Sequence, residues 1–126
     1  MRLSLTAVVV RDYDEAIDFY VGKVGFTLIE DTDLGHGKRW VVVRPHGGGA
    51  GLLLAKAAGP RQAAAIGDQS GGRVWLFLES DDFEADHARM TAAGVRFTDG
   101  PRLEDYGAVA VWEDLYGNRW DLIGPA

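Results

Sequence analysis

The sequence predicts an α+β fold in which two tandem β-α-β-β-β modules form a curved mixed sheet around a cavity. Three observations predict it. First, two segments read alike. Ala7-Val8-Val9-Val10-Arg11-Asp12-Tyr13-Asp14-Glu15-Ala16 runs on to Gly25-Phe26, and Leu76-Phe77-Leu78-Glu79-Ser80-Asp81-Asp82-Phe83-Glu84-Ala85 runs on to Gly94-Val95. Second, the register is kept: Ala16 and Ala85 stand 69 residues apart, and so do Gly25 and Gly94. Third, short apolar strands follow each helix. Self-similarity at a fixed period marks an internal duplication.

Each element has a local reason. Aspartates near the helix starts cap free N–H groups and favour the positive end of the dipole. Tyr13, Ile17 and Tyr20 share one helical face; Phe83, His87 and Met90 share the other helix's. Gly25 and Gly94 sit where a chain leaving a helix turns left-handed. Strands are expected over 26–31, 38–44 and 51–56, then over 95–98, 107–113 and 118–123. Residues 45–51 reverse the chain, and Asp114-Leu115-Tyr116-Gly117-Asn118 turns it so that the last two strands form a hairpin. Residues 1–126 make one domain: module 1 over about 1–56, a linker over about 57–72 with a short helix over 60–66, and module 2 over about 73–126. One helix per module cannot cover both faces of an eight-stranded sheet system, so the other face is a concave surface, covered by a partner chain, by ligand or by neither.

Composition excludes several functions. The formal net charge is -6 and no basic patch stands out, which argues against nucleic acid and anionic membrane as partners. The absence of cysteine rules out disulfides, thiolate metal sites and a Cys nucleophile. No window of about 18 apolar residues could span a bilayer. Met1-Arg2-Leu3-Ser4 leads straight into a strand pattern without the apolar run of a signal peptide, so the expected location is the cytoplasm.

Val10-Arg11-Asp12 with Ala16 and Phe19-Tyr20, the Gly25-Phe26 pair, and Glu113-Asp114-Leu115-Tyr116-Gly117-Asn118-Arg119-Trp120-Asp121-Leu122 together resemble the vicinal oxygen chelate superfamily. That group includes glyoxalase I, extradiol dioxygenases, fosfomycin-inactivating enzymes and bleomycin-resistance proteins. The resemblance spans nearly the whole chain and identifies fold better than chemistry. It implies metal ligands, His or Glu, at matching inward-facing strand positions of both modules. Those positions hold Leu5, Trp75 (or its neighbour Val74), a residue within Leu52-Leu53-Leu54, and Asp121. A lone carboxylate does not hold a divalent ion tightly, so no metal and no cofactor is expected. The histidines do not rebuild a site. His36 and His46 flank one strand, about 30 Å apart if extended, and His87 reads as a packing residue between Phe83 and Met90.

The candidate ligand-binding residues are Leu5, Trp40, Leu54, Arg73, Trp75, Tyr106, Trp112 and Asp121. Trp75, in a vacated ligand position, supplies a flat wall for stacking. Trp120, next to Asp121 on a strand, reads as core. The facing of Trp40 and Trp112 is left open between cavity and core. Arg73 shares a face with Trp75 and could pair with Asp121 to orient a ligand. Lys38 and Arg39 begin a strand, and Glu104 and Tyr106 precede one. Asp121 and Glu104 are the candidate catalytic groups, each able to act as a general base if desolvated. Gly47-Gly48-Gly49 lacks the Lys-Ser/Thr and the helix of a phosphate loop. The leading expectation is a homodimeric, metal-free protein of the bleomycin-resistance type that sequesters a hydrophobic or aromatic natural product or drug. A lyase or isomerase of the glyoxalase-like group using Asp121 is the alternative, and a purely structural dimer the third.

Overall fold

The computed structural model describes residues 1–126. The chain divides into two compact units, Met1–Ile66 and Gly67–Ala126. In the first, β1 (Leu5–Val10) leads to α1 (Tyr13–Ile17), which continues as a π-helical segment (Asp18–Val24). Then come β2 (Thr27–Gly35), β3 (Lys38–Arg44), β4 (Gly51–Lys56) and α2 (Pro60–Ala65). The second has β5 (Val74–Glu79), α3 (Phe83–Ala92), β6 (Arg96–Glu104), β7 (Gly107–Glu113) and β8 (Arg119–Gly124). Each unit closes its own four-stranded mixed sheet, in the order β1-β4-β3-β2 and β5-β8-β7-β6. The first strand joins the last in parallel, and the remaining pairs are antiparallel. The fold is α+β with two tandem modules, as the repeat predicts.

The repeat is exact at the helix starts. The Asp12 side chain accepts from the Glu15 amide and the Asp82 side chain from the Ala85 amide, the N-cap bond in both units. Both closing glycines are left-handed, with φ 97° at Gly25 and 96° at Gly94. The caps are 70 residues apart and the glycines 69, so the first helical segment holds one residue more. Its π-helical turn absorbs that residue, since an i→i+5 ring takes more chain per turn. This also changes its buried stripe. Ile17, expected with Tyr13 and Tyr20, is only half-buried, whereas Ala16, Phe19 and Val24 are buried.

One face of each sheet carries the helix. In the first unit Val8, Val10, Val41, Val43 and Leu54 are fully buried there, with α1 packed on β3 and β4. At about 1.5–3 kcal/mol for each large apolar side chain removed from water, this face dominates the unit's stability. In the second unit Trp112, Trp120 and Leu122 are buried with Phe83 and Met90. Gly124 lets α3 approach, because a Cβ there would lie 2.6 Å from the Ser80 carbonyl oxygen and 3.1 Å from the Phe83 Cβ. His87 packs between Phe83 and Phe97, at 5.7 and 4.3 Å between ring centres.

Two strands are longer than expected. β2 extends to Gly35 rather than 31, and β6 to Glu104 rather than 98. Both are exposed edge strands whose outer halves are polar, so they carry no apolar alternation. Pro101 within β6 argues against a strand from sequence; an irregular register between Asp99 and Arg102 accommodates it.

Candidate functional site

In the first unit the ladder between β3 and β4 stops short. Its register runs only over Val41↔Leu54, Val42↔Leu53 and Val43↔Leu52. Beyond it the two strands follow different partners: Trp40 and Arg39 pair with Thr32 and Asp33 of β2, and Ala55 and Lys56 with Val9 and Val10 of β1. The sheet therefore forks, and a cleft of about 540 Å³ occupies the fork. It is bordered by Trp40, Leu53 and Ala55, by Tyr13 and Arg39, and by Gln62 of α2.

Tyr13 holds the fork open. Its hydroxyl oxygen accepts from the Arg39 amide at 3.1 Å, a donor that a continuing ladder would have used. The Arg39 guanidinium is in turn fixed on three sides. It grips both oxygens of Asp31 at 3.0 and 2.7 Å, donates to Asp14 at 3.0 Å, and lies 5.1 Å from the centre of the Tyr13 ring. Bidentate geometry of this kind orients as well as attracts. The hydrogen bond from Arg39 holds the Asp31 carboxyl below the usual carboxylate range, and the Asp31 bond likewise raises Arg39 above its ordinary value.

The second candidate region is the face of the second sheet away from α3. The turn before β8 is built on Asp114, whose carboxylate accepts from the amides of Tyr116 and Asn118 and from the Asn118 side chain, all at 2.8–2.9 Å. That turn fixes where β8 starts, and alternation then sets Asp121 opposite in facing to buried Trp120 and Leu122. Asp121 pairs with Phe77 on one side and Val111 on the other. Its Oδ1 is buried and makes no hydrogen bond. Burial pushes its carboxyl above the ordinary value; Arg102 and Arg119 oppose that shift, and Asp99 adds to it.

The other predicted residues fall as follows. Leu5 faces with Ala7 and Val9, away from the helix-covered side. Within the leucine run it is Leu53, not Leu54, that shares this facing, because Leu53 pairs with Ala7 and Leu54 with buried Val8. Leu54 borders the cleft, but its side chain is wholly buried. Trp40 keeps the cavity-side option: it is 37% exposed and borders the cleft. Trp112 does not. It is fully buried and stacks on Trp120 at 4.8 Å, in the core of its unit. Trp75 departs from simple alternation, because the register with β8 shifts between Val74 and Leu76. Its ring stands edge-on to Trp120 at 5.7 Å, so Phe77, 63% exposed, takes the place beside Asp121.

Arg73 precedes β5 and is exposed. The cations that act on Asp121 are Arg102 and Arg119 instead, because the irregular register at Val74 carries the strand start out of alternation. Glu104 accepts from Arg102 at 3.0 Å at the exposed end of β6, so it is a paired surface carboxylate rather than a desolvated base. Tyr106 is exposed in the β6–β7 turn. Sequence reasoning missed Tyr13 as a site residue. It reads as one member of an apolar stripe, and only the end of the β3–β4 ladder gives its hydroxyl a task.

The donor set does not fit the metal that the resemblance implies. Leu5, Leu53 and Val74 or Trp75 offer no ligand atoms, and in neither unit do three His, Asp or Glu side chains converge.

Comparisons with known proteins agree with this architecture. A protein of Shewanella frigidimarina, itself of uncharacterised activity, is 59% identical over 119 residues, covering 93% of this chain and 88% of that protein. The crystal structure of TnmS3, an antibiotic-binding protein from Streptomyces sp. CB03234, is similar with a TM-score of 0.79 and 35% identity over 100% of this chain and 97% of TnmS3. A glyoxalase/bleomycin resistance protein from the same Streptomyces strain is similar with a TM-score of 0.75 and 36% identity, over 96% of this chain and 98% of that one. With residues 2–122 matching its family model, and the same capped β-α-β-β-β unit built twice, the chain belongs to the Glyoxalase/Bleomycin resistance protein/Dioxygenase superfamily.

Proposed function

We propose that this protein binds and sequesters a small hydrophobic or aromatic molecule, a natural product or drug, without metal and without transforming it. The observation that carries the reading is the fork cleft, whose volume is that of a small-molecule site and whose border includes a part-exposed tryptophan. Apolar residues at the positions where the family places metal ligands support it. So does likeness along the whole chain to a protein that binds an antibiotic. A homodimer is part of the same reading, supported by the apolar side chains exposed on β2 and β6.

The test is tryptophan fluorescence titrated with a panel of polycyclic aromatic antibiotics, followed by recovery of the ligand. Saturable quenching with the ligand recovered unchanged is expected, and Trp40→Ala should weaken binding roughly tenfold, the scale of a lost aromatic stacking contact. Conversion of the ligand, or one tightly bound metal ion per chain in protein purified without chelator, would overturn the reading.

One observation favours an enzyme instead. Asp121, with a buried and unpartnered oxygen and a raised carboxyl, has the character of a general base. Under that reading ligand turnover is found, and Asp121→Asn abolishes it while leaving ligand affinity in place.

A further inference from the structure

We propose that the fork between β3 and β4 binds the acidic end of its ligand, so that the molecule held is a planar aromatic acid rather than a neutral or cationic aromatic. The inference rests on the binding function proposed above and narrows it to a ligand class.

The charge around the cleft runs against that of the chain. The protein carries a formal net charge of -6, yet the charged side chains bordering the cleft are Lys38, Arg39 and Lys56, with His36 beside them and no carboxylate. Arg39 is paired with Asp31 and Asp14, two carboxylates to one guanidinium. Lys38 and Lys56 are not: the salt bridges of the protein use neither. Three cations thus border the cleft against the two carboxylates that Arg39 holds beside it, a net positive charge in an otherwise acidic protein, and its local field attracts an anion.

The backbone adds to this. The Ala57 amide donates to the Val10 carbonyl of β1, so alternation along β4 turns the Lys56 backbone to the other side, toward β3. There the ladder has already ended, and the facing Arg39 amide is taken by Tyr13. A ligand acid group in the fork would meet the two ammonium groups and a strand edge turned toward it. Its ring would lie against Trp40 and the apolar Leu53 and Ala55.

The experiment compares anthraquinone-2-carboxylate with anthraquinone-2-carboxamide, by tryptophan quenching and by calorimetry, on the full chain and on the Lys38→Gln/Lys56→Gln variant. Both lysines are exposed, so the variant keeps the fold. The acid should bind about tenfold or more tightly than the amide, the scale of one charged hydrogen bond. That preference should vanish in the variant and shrink as salt rises from about 0.05 to 0.5 M. Equal binding of acid and amide, or an acid preference that survives the double substitution, overturns this inference and leaves the binding function standing. If neither compound binds the unmodified protein, this inference falls, and the binding function is decided by the wider antibiotic panel.

Discussion

Tyr13 shows how one hydroxyl can define a site. It satisfies the Arg39 amide at the point where the sheet divides, and its ring carries the Arg39 guanidinium. Tyr13→Phe removes the acceptor but keeps the ring, so a loss of about 1 kcal/mol is expected in urea denaturation, with ligand binding weakened as the fork closes or loosens. Trp112→Ala, in contrast, leaves a large cavity in the second unit and should cost about 3–5 kcal/mol. Asp121 makes a pH-dependent prediction. Its carboxyl is raised above the ordinary 3.8 by burial, so the fold favours the protonated form. That contribution is complete below the unfolded value and is lost as pH rises through the folded one. Asp121→Asn should therefore flatten the fall in Tm as pH rises above about 4 and raise stability at neutral pH; an unchanged profile would contradict the assignment.

At the scale of elements, the helix starts are the most legible features. Asp12 and Asp82 make the same cap bond, so Asp12→Ala and Asp82→Ala should each cost about 1 kcal/mol by thermal denaturation. The sequence also carries the closing glycines and the final hairpin, because each depends on a few adjacent residues. It does not carry the full length of β2 and β6. Edge strands gain their ladder bonds from a neighbour, and their exposed polar residues leave no pattern to read. The register shift in β5 is equally hidden. It takes Trp75 away from Phe77's facing and sets it against Trp120, an outcome governed by the meeting of three tryptophan side chains rather than by local propensity.

At the scale of the molecule, no helix is long and apolar enough to cross a membrane. Leu28, Ile29 and Leu34 are exposed on β2, and Leu103 and Tyr106 on and beside β6. Apolar side chains along sheet edges are the surface a second copy would cover. Sedimentation should therefore give a mass near twice the chain's 13.7 kDa, and Leu103→Lys should shift it toward the monomer; a monomer at all concentrations would remove the dimer from the functional reading.

The duplicated unit, its caps and turns, and the apolar occupants of Leu5 and the leucine run were determined by the sequence itself, because each follows from residue type and short-range spacing. Which tryptophan meets solvent and which forms core was decided by the tertiary structure. Trp40 and Trp112 have similar strand surroundings in sequence, yet one borders a cleft and the other is sealed in the core of its unit against Trp120, since only strand pairing assigns a face. The cleft has the same origin. It exists because β3 and β4 leave each other for different partners, and no residue in either strand announces that divergence.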